Sequence, residues 1–341
     1  MARASLARLL ETRPWLLADG ATGTNYFQAG LMSGDAPEMW NFEHPERVRA
    51  NHRGFIEAGA DIILSNSFGG SFFRLKLHKA EDRVREINRE AARLARLEAD
   101  AADHPVIVAG SIGPTGEIFE PVGTLTHAEG VAAFAEQARA LAEGGADLIW
   151  IETMSSEEEL RAAVEGADAA ALPIVATMSF DTNGCTMMGI TPGYFGLLSQ
   201  SLPGPVVAIG ANCGTGAAEL VATVLGISGA CPEAVVVAKG NCGIPEFRDG
   251  HIHYSGTPEL MADYARLALD AGARIIGGCC GTSPEHLKAM RLALETHDKG
   301  HRPAIADIEA RLGKVSELAH GHDKAAEGRH RREGRQGRRR A

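Results

Sequence analysis

Two adjacent cysteines, Cys279 and Cys280, sit in the stretch Ile275-Ile276-Gly277-Gly278-Cys279-Cys280-Gly281-Thr282, and a third, Cys213, ends Val206-Val207-Ala208-Ile209-Gly210-Ala211-Asn212-Cys213. Each apolar run reads as a buried strand that delivers thiols at its C-terminal end. Three thiolates brought together would bind zinc through three protein ligands and leave one position open, the catalytic form of such a site. Cys185 and Cys231 read as small buried hydrophobes, the ordinary state of a lone cysteine. Cys242, in Lys239-Gly240-Asn241-Cys242-Gly243, is either a bystander or a displaced ligand. A phosphate-cradling loop is the rival reading for 277–281, but nothing in phosphate binding calls for paired thiols.

Other polar residues also end apolar runs. Glu152 follows Leu148-Ile149-Trp150-Ile151. A carboxylate there needs a neighbouring cation or a cationic ligand, because an unpaired buried charge is too costly. Asp19, in Asp19-Gly20-Ala21-Thr22-Gly23-Thr24, is either a turn former or a substrate-positioning acid, with backbone N–H groups beside it free to hold a carboxylate. Lys239 offers a competing chemistry, the Schiff-base amine of an aldolase. Trp40, in Pro37-Glu38-Met39-Trp40-Asn41, is either a lid residue or an aromatic face for a ligand cation.

Eight strand-length apolar runs recur, at 15–19, 60–68, 106–113, 146–153, 173–180, 206–213, 234–241 and 273–279, and segments of helical periodicity lie between them, as at 81–99, 127–143, 156–170, 258–271 and 284–295. Continuous apolar strands joined by helices mean a parallel sheet covered on its faces. Eight such units predict an α/β fold, a (β/α)8 TIM barrel, with its chemistry on the C-terminal rim. That rim would collect Asp19, Asn66, Ser67, Ser111, Glu152, Lys239 and all three opening cysteines. Gly-Ala-Asp and Gly-Ala-Arg junctions before several strands suit helix C-caps. The first fourteen residues predict a short helix closing the bottom of the barrel. The barrel is expected to span 1–298, followed over 299–341 by a linker, a helix at 303–318 and a disordered Arg-rich tail.

The 341 residues carry a net charge of −10, but seven arginines and one glutamate after Gly328 make the tail +6 and leave −16 on the rest. So acidic a body excludes a nucleic-acid binder as the main function. No apolar run reaches the length of a membrane span, and the N-terminus lacks the apolar core of a secretory signal. Six cysteines without export imply reduced thiols and a cytoplasmic protein. Exposed barrel helices often support symmetric assemblies, so a homo-oligomer is expected.

From about residue 12 to 295 the chain resembles the homocysteine S-methyltransferase family. The likeness rests on 19–24, on Gly59-Ala60-Asp61-Ile62-Ile63-Leu64-Ser65-Asn66-Ser67-Phe68, on Gly110-Ser111-Ile112-Gly113-Pro114, on Ile151-Glu152-Thr153, on Asn212-Cys213-Gly214 and on Gly277-Gly278-Cys279-Cys280-Gly281-Thr282. The resemblance implies zinc held by Cys213, Cys279 and Cys280. It implies homocysteine bound by Asp19, Gly20, Ala21 and Glu152, in a pocket lined by Asn66, Ser67 and Ser111. Overall, and including 239–247, the chain is most similar to bacterial betaine–homocysteine methyltransferases, which implies glycine betaine as donor, with Trp40 and Tyr26 as aromatic candidates for its ammonium. Where animal betaine enzymes carry tyrosines, this chain has Gly69 and Thr153. Those two positions are more similar to the homocysteine module of cobalamin-dependent methionine synthase, which implies the alternative of a separate cobalamin protein as partner; S-methylmethionine is a third donor.

Overall fold

The structure, a computed structural model, describes residues 5–248, 251–317 and 319–321. Among the described residues there are ten strands: β1 (Leu16–Leu17), β2 (Ile62–Leu64), β3 (Ile107–Ile112), β4 (Leu148–Met154), β5 (Ile174–Met178), β6 (Val206–Cys213), β7 (Val236–Gly240), β8 (Pro245–Arg248), β9 (His251–Tyr254) and β10 (Ala273–Gly278). Eight of them pair in parallel in the order β1-β10-β7-β6-β5-β4-β3-β2. The ring closes between β1 and β2 through an Ala18–Ile62 bridge and the bonds Asp19 N to Ile62 O and Asp61 N to Leu17 O. This is the expected (β/α)8 barrel.

Strict alternation along the strands builds two cores. Leu16, Ile62, Leu64, Ile107, Leu148, Trp150, Val175, Val237 and Ile275 fill the interior, while Leu17, Ile63, Val108, Ile149, Ile209 and Ile276 pack outward against the helices. Leu6 and Leu9, from the helix Leu6–Thr12, join the interior cluster. The N-terminal segment therefore plugs the bottom of the barrel, as its sequence predicts. At the junctions, Gly59, Gly145 and Gly272 have φ of 100°, 104° and 112°. That left-handed region is open to glycine at little cost and ends each preceding helix.

The structure corrects the sequence in two places. After β7 the chain forms an antiparallel hairpin, β8–β9, that no apolar run announces. The C-terminal helix spans Ile305–Leu312 rather than 303–318, and Leu318 lies outside the described residues, as does the Arg-rich tail. Arg302 fixes this segment by donating to Ser228 Oγ and the carbonyls of Leu225 and Ala271. Among the described residues no helix is long and apolar enough to cross a membrane.

Candidate metal centre and substrate pocket

At the C-terminal rim β6 ends on Cys213, and β10 leads directly into Cys279 and Cys280. Cys213 Sγ lies 3.3 Å from Cys279 Sγ and 3.7 Å from Cys280 Sγ. All three sulfurs fall within 4.8 Å of one another, and among the described residues no other group of potential ligands does so. Zn–S bonds of about 2.3 Å in a tetrahedron put ligand sulfurs about 3.8 Å apart. These side chains therefore fit one zinc ion with little adjustment.

The protons on the cluster are unevenly held. Hydrogen bonds from Cys213 and Cys279 pull Cys280 down to about 3. Cys213 is raised well above the thiol range by its bonds to Cys279 and Cys280 and by burial. Cys279 is drawn down by Cys213 but pushed up further by Cys280 and burial, to about 12. Crowded sulfurs sharing protons in this way are the state a cation would relieve.

The local backbone is strained and deliberately held. Cys213 has φ 62° and Thr153 φ 64°, a region that side chains with a Cβ occupy only where surrounding structure enforces it. Asn212 is the enforcer. Its Oδ1 accepts from Thr153 N (2.8 Å) and from the Thr177 hydroxyl (2.7 Å), and its Nδ2 donates to Thr153 Oγ1 (2.7 Å). Asn241 does the same for the other cysteine loop, accepting from Cys280 N (3.0 Å) and donating to Gly214 O (2.7 Å). The register of β4 against β5 shifts between Ile151 and Met154. Such a bulge re-aims the residues it contains, here Glu152 and Thr153.

A cavity of about 450 Å3 opens beside the sulfurs, lined by Gly20, Ala21, Asn66, Ser67, Ser111 and Glu152 together with all three cysteines. Ser111 Oγ donates to Glu152 Oε1 (2.5 Å), and Ser67 Oγ donates to Ser111 O (2.8 Å). Burial raises Glu152 to about 7, with Lys239 pulling it down and Cys279 adding to the rise. Asn66 latches the loop after β1, donating to Pro37 O and Asn41 Oδ1. Ala21 N is not free for a ligand, because it donates to Thr282 O (3.0 Å).

Two residues expected in the pocket lie elsewhere. Asp19 sits off the cavity wall. Its Oδ1 pairs with Lys239 Nζ at 2.5 Å and its Oδ2 accepts from Leu64 N at 2.7 Å, so both oxygens are engaged. Trp40 is buried at 3% exposure. Arg47 stands over its ring at 5.2 Å, with Tyr26 and His44 packed against it, so the chain's own cation holds the aromatic face. Lys239 is no free amine either: burial works against its charge, but Asp19 and Glu152 outweigh that and hold its pKa up. Cys242 is a buried bystander to the cluster, its thiol pushed up to about 11 by burial.

Sequence reasoning assigned no role to Asn212 or Asn241, although both stand at strand ends among the rim polar residues. It missed Thr24, whose hydroxyl accepts from Gly281 N (3.0 Å). It also missed Tyr254, which hydrogen-bonds Cys280 from the unannounced hairpin.

The homocysteine S-methyltransferase family model matches residues 16–294. The chain is 30% identical over 313 residues to a methionine synthase of Mycobacterium leprae, covering 86% of this chain and 26% of that protein. A methionine synthase of Mycobacterium tuberculosis is 31% identical over 295 residues, covering 82% and 24%. The chain thus spans about a quarter of the length of these curated relatives. Among solved structures, the oxidised form of the homocysteine methyltransferase MmuM from Escherichia coli superposes with a TM-score of 0.71 at 26% identity, covering 84% of this chain and 98% of that one. Its metallated form gives the same TM-score at 24% identity, over 84% and 99%, and supports the fold. With this match over nearly the whole barrel, the chain belongs to the homocysteine S-methyltransferase family.

Proposed function

We propose that this chain methylates the thiol of homocysteine at a zinc ion held by Cys213, Cys279 and Cys280, forming methionine in the cytoplasm, with glycine betaine as donor. The observation that carries this reading is the convergence of three sulfurs from two strand ends on one side of a cavity. A free thiol with pKa near ~8.5 is only about 3% thiolate at pH 7. A zinc ion in that cluster would bind the substrate sulfur and supply it as a thiolate at neutral pH.

The chain's own residues bind and orient. Glu152 offers a buried carboxylate for the substrate ammonium, which would bring its pKa back down. Ser111 fixes the orientation of that carboxylate. The loop after β1 supplies backbone donors for the substrate carboxylate, with Ala21 N excluded by its bond to Thr282 O. In the transfer a donor C–N bond breaks, its electron pair stays on nitrogen, and a C–S bond forms. The thiol proton goes to solvent, and the products are methionine and dimethylglycine. Opposite charges disappear together, so a pocket that sheds water favours the step.

A second reading is supported by the methionine synthase relatives and by Gly69 and Thr153. In it the methyl group arrives on a separate cobalamin protein. Purified protein should hold about one zinc per chain, lost with turnover in Cys213→Ala and kept in Cys242→Ala. Incubation with homocysteine plus glycine betaine, S-methylmethionine or a methylcobalamin protein separates the donors. A protein that turns over fully without zinc would end the proposal.

A further inference from the structure

Two permanent cations line the cavity, Lys239 and Arg74. Asp19 neutralises Lys239. Arg74, on the short helix Phe72–Lys76, is different. Its guanidinium makes no hydrogen bond or ion pair with any described residue. It extends toward the loop after β3, where its Nη1 lies 3.3 Å from the point a Cβ on Gly116 would occupy. His78 lines the same part of the cavity, and both sit in the field of the buried Glu38, whose Oε1 accepts from Gly69 N (2.6 Å). Two phenyl rings, Phe27 and Phe68, line the cavity while 53% and 37% exposed.

A guanidinium is a rigid fork of donors matched to a carboxylate. Leaving that fork without a protein partner at a pocket wall is the arrangement that receives an anionic ligand group. Exposed phenyl faces and nearby carboxylates suit an onium centre. In the proposed function homocysteine's own charged groups are served by Glu152 and by backbone donors of the loop after β1, not by Arg74.

Resting on the proposed methyl transfer, we propose that Arg74, with His78, forms a carboxylate subsite for the methyl donor, which makes the donor a small zwitterion carrying an onium methyl group and a carboxylate. The donor's charged head then sits between the phenyl rings and the sulfurs, with its acid end on Arg74.

The test compares wild type with Arg74→Met and Arg74→Lys, using glycine betaine and, as the same trimethylammonium head without a carboxylate, choline. Binding is measured by calorimetry on homocysteine-loaded protein, and turnover separately. Wild type should bind glycine betaine at least 10-fold more tightly than choline. Arg74→Met should abolish that preference, Arg74→Lys should restore part of it, and zinc content and KM for homocysteine should not change. Equal affinity for the two ligands, or a preference that survives Arg74→Met, overturns the subsite. Turnover with a methylcobalamin protein and no binding of glycine betaine or S-methylmethionine overturns the subsite while homocysteine methylation stands. Arg74-dependent binding of glycine betaine without turnover by any donor supports the subsite and removes the proposed function instead.

Discussion

The Asn212 carboxamide ties β4, β5 and β6 together through Thr153, Thr177 and its own strand. Asn212→Ala would leave the Thr153 amide without its partner and the Thr177 hydroxyl with only its 3.3 Å bond to Ile151 O, at a cost of about 1–3 kcal/mol, and would free the strained Cys213 turn to relax. Zinc affinity should fall about 10–100-fold, read by competition with a chromophoric chelator. Unchanged affinity would mean that Cys213 keeps its turn unaided. Glu152→Gln keeps the shape and removes the charge, so KM for homocysteine should rise at least 10-fold with zinc retained. A loss confined to kcat would argue instead for a part in the chemistry. At this scale the cysteine trio was legible because thiols at the ends of apolar strands have few other uses. Trp40 was not, because an aromatic face accepts any cation, and Arg47 lies near it only through the folding of the loop after β1.

Elements were readable where one face met water and the other a core. The helix Ala217–Ala230 broke that rule, being buried nearly all round. The C-terminal helix packs on its outer side, which erases the polar stripe that periodicity needs. The hairpin escaped for the opposite reason, since Pro245-Glu246-Phe247-Arg248 and His251-Ile252-His253-Tyr254 are too short and mixed to signal strands. Yet it brings Tyr254 to the cysteine cluster. Gly281, at φ 78°, lets that ring pack closely, because a Cβ there would sit 2.4 Å from Tyr254 Cγ. Gly281→Ala should therefore lower stability by about 1–3 kcal/mol and loosen the hairpin, seen as faster amide exchange in β9. Unaltered exchange would show that the ring does not depend on this contact.

Across the whole molecule, a histidine buried on the side of the barrel sets an acid limit. His52 is 1% exposed, neither ring nitrogen has a hydrogen-bond partner among the described residues, and burial lowers its pKa to about 4 despite Asp19 and Glu98 nearby. As pH falls from about 6.5 toward 4, the unfolded chain takes up a proton that the folded chain refuses, so stability drains away over that window. The full effect is roughly 3 kcal/mol. Chemical denaturation at pH 7.5 and 5.0 should show a larger loss for wild type than for His52→Gln; equal losses would assign the acid sensitivity to other groups.

The barrel and its thiol-bearing rim followed from the sequence alone, because a strand buried on both faces must be apolar throughout and a polar residue at its end must face the open rim. Which rim residues face a ligand and which serve one another was decided only in three dimensions. Asp19 and Lys239 stand 220 positions apart in the chain and meet at 2.5 Å, turning two apparent site residues into a buried strut. The same folding leaves the Arg74 guanidinium without a hydrogen bond or ion pair among the described residues. Partnership between charges depends on distances that a closed barrel sets and a linear pattern does not carry.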